Sequence, residues 1–152
     1  MPTVLLVEDD ADIRKLIETA LAERGLLVRA VADGRSAQRV LEREAMQIGV
    51  LIADVHLGAS ATGFDVALRA RRLNPRIEVV YITGRPLDVD RFGVHGGVLM
   101  PKPFDIGNLG DVVEALARDP ALKPHEPNYR LRLSAAFSST GVTPPEANSS
   151  AP

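Results

Sequence analysis

One rhythm dominates the sequence: a short apolar run closed by polar residues, then a stretch with apolar residues at helical spacing, repeated five times up to Arg118. Val4 to Val7 is the first run. It ends in Glu8-Asp9-Asp10, after which Ile13, Leu16, Ile17, Ala20 and Leu21 recur at helical spacing as far as Gly25. Asp10 is placed to cap this helix, and Gly25 suits the left-handed position beyond its end. Leu26 to Val31 reads as a second strand, followed by a helix from about Ser36 to Ala45 with Ala37, Val40 and Leu41 on its core face. The third strand, Ile48 to Ala53, ends in Asp54. Beyond a glycine-bearing loop, Phe64, Ala67 and Leu68 mark a third helix that stops near Asn74-Pro75. Ile77 to Ile82 is the fourth strand and ends in Thr83-Gly84. The segment RPLDVDRFGVHG offers only Leu87, Val89 and Phe92 as anchors and is broken by Pro86 and Gly93, so a shortened or flexible helix 4 is expected there. Val98, Leu99 and Met100 form the fifth strand. The last helix starts from a cap at Asp105 and runs through Ile106, Leu109, Val112, Val113 and Leu116.

Five largely apolar strands alternating with helices imply right-handed crossovers and a parallel sheet covered on both faces, which is the α/β class. At 152 residues, 45% apolar and 25% charged, the chain suits one domain with its own core. The absence of cysteine excludes disulfides, thiolate metal sites and cysteine nucleophiles. No apolar run reaches membrane-spanning length, and MPTVLLVEDD turns acidic too early for a signal peptide, so a cytoplasmic location and no membrane contact are expected. A net charge of −2 and arginines scattered along helix faces predict no direct nucleic-acid binding. After Arg118 the character changes: residues 119–152 hold six of the eleven prolines and end in TPPEANSSAP, the composition of a largely disordered tail. Within it, NYRLRLSAAF alternates at its start and is a candidate docking segment.

In such sheets ligands bind outside the carboxyl ends of the strands. Those ends carry Glu8 and Asp9 after the first strand, Asp54 after the third, Thr83 after the fourth and Lys102, held between Pro101 and Pro103, after the fifth. Taken singly, each has an ordinary reading as a cap, a turn former, a β-branched strand residue or a solvated lysine. Together they make a pattern that independent surface choices do not produce. Converging carboxylates repel one another and stay ionised only if a cation shares the site, and Mg²⁺ is the natural occupant for hard oxygen ligands. A hydroxyl and an ammonium opposite that ion suit the oxygens of an incoming phosphoryl group, with Asp54 as the nucleophile.

The joint pattern resembles the receiver domain of bacterial two-component response regulators over roughly residues 2–118, through VLLVEDDADIR, LIADVHL, VVYITGRP and LMPKPF. The resemblance implies a flavodoxin-like (βα)5 doubly wound parallel sheet of five strands in the order 2-1-3-4-5. It also implies that Glu8 and Asp9 hold Mg²⁺ with Asp54 and the backbone carbonyl of His56. By the same pattern Asp54 accepts phosphate from a histidine kinase or histidine phosphotransferase, and Thr83 and Lys102 bind the phosphoryl oxygens, the threonine moving inward on activation. The Lys102-Pro103 bond is often cis in that family. Such a protein is a phosphoacceptor in signal transduction rather than an enzyme, with at most self-catalysed phosphotransfer and autodephosphorylation.

Several residues depart from the family pattern. Leu99 occupies the usual aromatic switch position, so rotation of a ring cannot report phosphorylation in the usual way. The loop HLGASATGF lacks the common proline, and Pro101 before the lysine is less usual. These features are similar to stand-alone receivers with a flexible region after the fourth strand. Nothing after Arg118 has the periodicity of an output domain, so output is expected through contacts with a downstream regulator protein. Two alternatives remain: a receiver-like interaction module that is not phosphorylated, and a haloacid-dehalogenase-type phosphatase using Asp10-x-Asp12, which would leave Asp54 without a role.

Overall fold

The computed structural model describes residues 2–57, 62–84 and 97–118. The segment expected to hold a shortened helix 4, the middle of the loop after Asp54 and the tail at 119–152 lie outside the described residues. In chain order the elements are β1 (Thr3–Val7), α1 (Ala11–Glu23), β2 (Leu27–Val31), α2 (Gly34–Glu44), a single 3₁₀ turn (Ala45–Gln47), β3 (Ile48–Asp54), α3 (Gly63–Leu73), β4 (Glu78–Thr83), β5 (Val98–Pro101) and a final helix (Ile106–Arg118). The five strands form one sheet in the order β2-β1-β3-β4-β5, and every neighbouring pair is parallel. This is the doubly wound, flavodoxin-like arrangement that the family resemblance implies.

Successive strand residues point to opposite faces, so each apolar run supplies two cores at once. Val4, Leu6, Val50, Ile52, Val80, Ile82, Val98 and Met100 face Ile17 and Leu21 of α1 and Leu109, Val112, Val113 and Leu116 of the final helix. The alternate residues Leu5, Val7, Leu51, Ala53, Val79 and Tyr81 face α2 and α3 through Ala37, Leu41, Val66, Ala67 and Ala70. Tyr81 packs its ring on Phe64, with centroids 4.9 Å apart.

The helices begin where side chains satisfy their first amides. Asp10 accepts from the N–H groups of Asp12 and Ile13, and Asp105 accepts from Asn108, as the sequence predicts. Gly25, with φ +79°, closes α1 in the left-handed region. The second helix starts at Gly34, earlier than Ser36, because Asp33 accepts from the Ser36 N–H at 2.7 Å and so takes the cap. Thr62 and Asp65 form a reciprocal capping box at the start of α3. The two ends of the chain's first core are joined by Arg24, whose guanidinium lies across Gly110 and reaches Asp111 at 2.7 Å, Glu114 at 3.1 Å and the Gly107 carbonyl at 3.0 Å. A side chain at position 110 would meet that guanidinium, which would have to swing aside to make room.

Gly63 makes a second close approach, and this one positions the sheet edge. Its N–H donates to the Val55 carbonyl at 3.1 Å, and a Cβ on residue 63 would collide with the carbonyl oxygen of Asp54. The neighbouring atoms are backbone, so they cannot swing aside as a flexible side chain can. Gly63→Ala is therefore expected to push α3 away from β3 and to destabilise the fold by about 1–3 kcal/mol, the cost of overpacking a close contact. Urea unfolding of the two proteins measures it, and a loss below about 0.5 kcal/mol, the ordinary scatter of surface substitutions, would show that the helix start yields freely.

Candidate functional site

The strand register brings the chemistry-bearing residues level. Val7 pairs with Ala53, Asp54 with Ile82, and Thr83 with Pro101. Backbone hydrogen bonds continue the sheet beyond the strands: Glu8 N–H to Val31 O at 3.1 Å, Val55 N–H to Ile82 O at 2.9 Å and Lys102 N–H to Thr83 O at 2.7 Å. Residues just past the strand ends are thereby fixed by the sheet itself rather than by free loops.

Glu8, Asp9 and Asp54 form an acidic cluster in which one carboxylate oxygen from each lies within 4.8 Å of the others. Glu8 and Asp54 are buried and Asp9 is exposed, so the cluster opens to solvent on one side. Both oxygens of Asp54 are engaged: Oδ1 accepts from the His56 N–H at 2.9 Å and Oδ2 from the Lys102 ammonium at 2.7 Å. His56 is held in turn by an isolated antiparallel bridge to Thr62, at the mouth of the loop. Thr83 is fully buried beside Lys102, whose N–H its carbonyl accepts. The Lys102-Pro103 bond is cis. Asp10 stays out of the cluster because its carboxylate is committed to capping α1, and Asp12, the other acid of the Asp-x-Asp pair, is also outside it.

The electrostatics are those of crowded like charges. Burial, and then the neighbouring Asp54 carboxylate, push the Glu8 carboxyl up to about 7, against the opposing pull of Lys102. Burial alone would lower the Lys102 ammonium, but its hydrogen bond to Asp54 and the charges of Asp54, Glu8 and Asp9 outweigh that and hold it above its ordinary value. One ammonium cannot balance three carboxylates. Glu8 Oε1 accepts from the Asp10 N–H at 3.2 Å, while its buried Oε2 has no hydrogen-bond partner. A buried, orphaned carboxylate oxygen within a set of hard oxygen donors fits a divalent cation such as Mg²⁺.

Two residues that position this cluster escaped the sequence reading. Arg14 reaches back from α1 to donate to the Glu8 carbonyl at 2.9 Å, fixing the backbone between the two acids. Gly63 lets the start of α3 abut the Asp54 carbonyl. Thr62-Gly63-Phe64-Asp65 is a legible capping-box signature and would have placed the helix start, although not its contact with Asp54.

Comparison with known proteins agrees with this geometry. The response regulator receiver domain family matches residues 4–114. The transcriptional regulatory protein TctD of Salmonella typhimurium is 32% identical over 126 residues, covering 81% of this chain and 55% of its own length. The transcriptional regulatory protein TcrA of Mycobacterium tuberculosis is 35% identical over 118 residues, covering 76% and 46%. The chain thus spans about half the length of these curated relatives. Among solved structures, a response regulator receiver protein from Sinorhizobium medicae superposes with a TM-score of 0.71 at 30% identity, covering 78% of this chain and 96% of that one. The receiver domain of the hybrid histidine kinase CckA gives 0.66 at 29% identity, covering 76% and 99%. With the matched stretch running from β1 into the final helix and taking in the whole acidic edge, the chain belongs to the response regulator receiver domain family.

Proposed function

We propose that residues 1–118 act as a phosphoryl-accepting receiver in a two-component phosphorelay, with Asp54 as the acceptor. The observation that carries this reading is the placement of Asp54: buried, central in the sheet, beside Glu8 and Asp9 on one side and 2.7 Å from the Lys102 ammonium on the other. Glu8, Asp9, Asp54 and the backbone carbonyl of His56 would hold Mg²⁺. When bound, the ion neutralises carboxylate charge and draws electron density from the phosphoryl oxygens.

The chain's own residues supply the rest. An Asp54 oxygen attacks phosphorus, the bond from phosphorus to the donor breaks, and the donor leaves with its electron pair, as neutral imidazole from a phosphohistidine protonated on its other ring nitrogen or as acetate from acetyl phosphate. The product is an acyl phosphate on Asp54. Lys102 then exchanges its carboxylate partner for a phosphoryl oxygen, and the Thr83 hydroxyl meets another by moving inward. Transfer is self-catalysed and the protein is a signalling module rather than a turnover enzyme. Phosphoryl donors are a histidine kinase or histidine phosphotransferase, and output passes by contact with a downstream regulator protein. The transcriptional role named for TctD and TcrA belongs to proteins about twice the length of the matched region, and it is not carried over to these residues.

Incubation with acetyl phosphate and Mg²⁺ should add one phosphoryl group to the wild type, by intact mass, and none to Asp54→Ala; a chelator should prevent the addition. Absence of an adduct with both acetyl phosphate and a phosphorylated histidine phosphotransferase would favour an unphosphorylated interaction module. Lys102→Ala should slow phosphorylation about a hundredfold, the scale for losing one preorganised donor at a developing charge. The rise of the adduct with time measures it, and an unchanged rate would remove Lys102 from the site.

The raised Glu8 carboxyl has its own signature. Between the ordinary glutamate value of 4.5 and about 7 the folded protein binds a proton that the unfolded chain releases, so stability of the metal-free protein falls as pH rises through that window. Glu8→Gln should flatten this slope and raise stability at pH 8 by on the order of 1 kcal/mol, a figure reduced for the solvent reaching the site. Urea titrations in chelator at both ends of the window test it; identical slopes in the two proteins would contradict it.

A further inference from the structure

On the opposite side of the sheet from α1, the helices α2 and α3 enclose a cleft of about 410 Å³ that phosphoryl transfer does not use. Its floor is apolar, formed by Leu41 and Val66, and Leu68 stands on its rim with 54% of its surface exposed. Arg35 on the α2 wall, with Arg69 and Arg72 one turn apart on the α3 wall, line the same space. These arginines look dispersed along the sequence, and the fold gathers them.

Their state differs from that of other arginines in the chain. Arg24, Arg29 and Arg118 pair with Asp111, Glu44 and Glu114. Arg35, Arg69 and Arg72 are exposed and make no ion pair among the described residues. Together α2 and α3 carry six arginines against three acidic residues, in a chain whose formal net charge is −2. The cleft is therefore a positive patch with an apolar floor on an otherwise acidic molecule.

We propose that this cleft docks an acidic segment of a partner protein, with carboxylates on Arg35, Arg69 and Arg72 and a large apolar side chain on Leu41, Val66 and Leu68. The guanidinium fork matches a carboxylate bidentately, and arginine around an apolar centre is the composition of protein interfaces. A nucleic-acid backbone fits the cleft poorly. It would have to cover apolar surface and pass the Asp65 carboxylate, and the lining contains no aromatic ring on which a base could stack. The inference rests on the cleft alone and holds whether or not Asp54 is phosphorylated.

A phage-displayed random-peptide library, selected on the wild type and counter-selected on an Arg35→Glu, Arg69→Glu, Arg72→Glu triple variant, tests the proposal. The enriched peptides should pair acidic residues with a large apolar one. By fluorescence anisotropy their binding should weaken with salt, and it should weaken at least about tenfold on the triple variant, on the milder Arg69→Gln, Arg72→Gln variant, and when their Glu residues are changed to Gln. Acetyl phosphate labelling of Asp54 and the urea midpoint should be retained in the milder variant, which separates loss of docking from loss of fold. Enriched peptides without acidic bias, or binding indifferent to both variants, would overturn the proposal. Self-association by sedimentation velocity that disappears in the milder variant would replace the partner with a second copy of the chain. Binding to duplex DNA lost in that variant, without any acidic-peptide binding, would replace it with nucleic acid.

Discussion

Two buried carboxylates side by side are the constraint around which the sheet edge is built. Glu8 and Asp54 repel each other, and both have lost most of the water that would screen that repulsion. The structure meets this with one partly buried ion pair, Lys102 to Asp54, and with backbone N–H groups from Asp10 and His56. It leaves one oxygen of Glu8 unanswered. A folding problem treated alone would be solved more cheaply by apolar residues, since buried ion pairs seldom stabilise more than their hydrophobic replacements. The repulsion is concentrated where a divalent cation would relieve it.

Holding such a cluster requires a stiff frame. The sheet supplies it by carrying its hydrogen-bond ladder past the ends of the strands, so that Glu8, Val55 and Lys102 are fixed by backbone partners on neighbouring strands. Two apolar layers, one on each face, clamp the frame. Arg24 ties the end of α1 to the final helix across Gly110, so the layer beneath Glu8 is closed at the far end of the molecule. Gly63 does the corresponding work near the site by allowing α3 to press directly on the Asp54 carbonyl.

What the sequence revealed follows from the range of the interactions involved. Strand ends were legible because a short continuous apolar run stops at a polar residue, which places Glu8, Asp9, Asp54, Thr83 and Lys102 at those ends with no knowledge of packing. The separation of Asp10 from the other acids was legible too, since capping is local and Asp10 stands directly before the helical pattern. The structure starts α2 at Gly34, two residues before the sequence places it, because Asp33 is the residue whose carboxylate meets the amide. Contacts between distant residues were not legible. Arg24 and Asp111 are 87 residues apart, and nothing in either neighbourhood points to the other. The same holds for Arg35 and the arginines of α3, which read as separate solvated faces until two helices are laid side by side.

The helix α3 joins the two halves of the molecule's chemistry. Its first residue, Gly63, lies against Asp54, Asp65 in its first turn lines the α2–α3 cleft, and the next turns carry Arg69 and Arg72. A rigid helix cannot move at one end alone. A displacement of α3 caused by a change at the Asp54 backbone would therefore be felt at the wall of the cleft, and one caused by a segment seated in the cleft would be felt at Asp54. Linkage requires these effects to be reciprocal: whatever free energy an occupant of the cleft gains from one state of Asp54, that state gains from the occupant. A side chain at position 63 would part the helix from the strand, so the absence of a Cβ there is what lets one helix touch both the Asp54 carbonyl and the cleft.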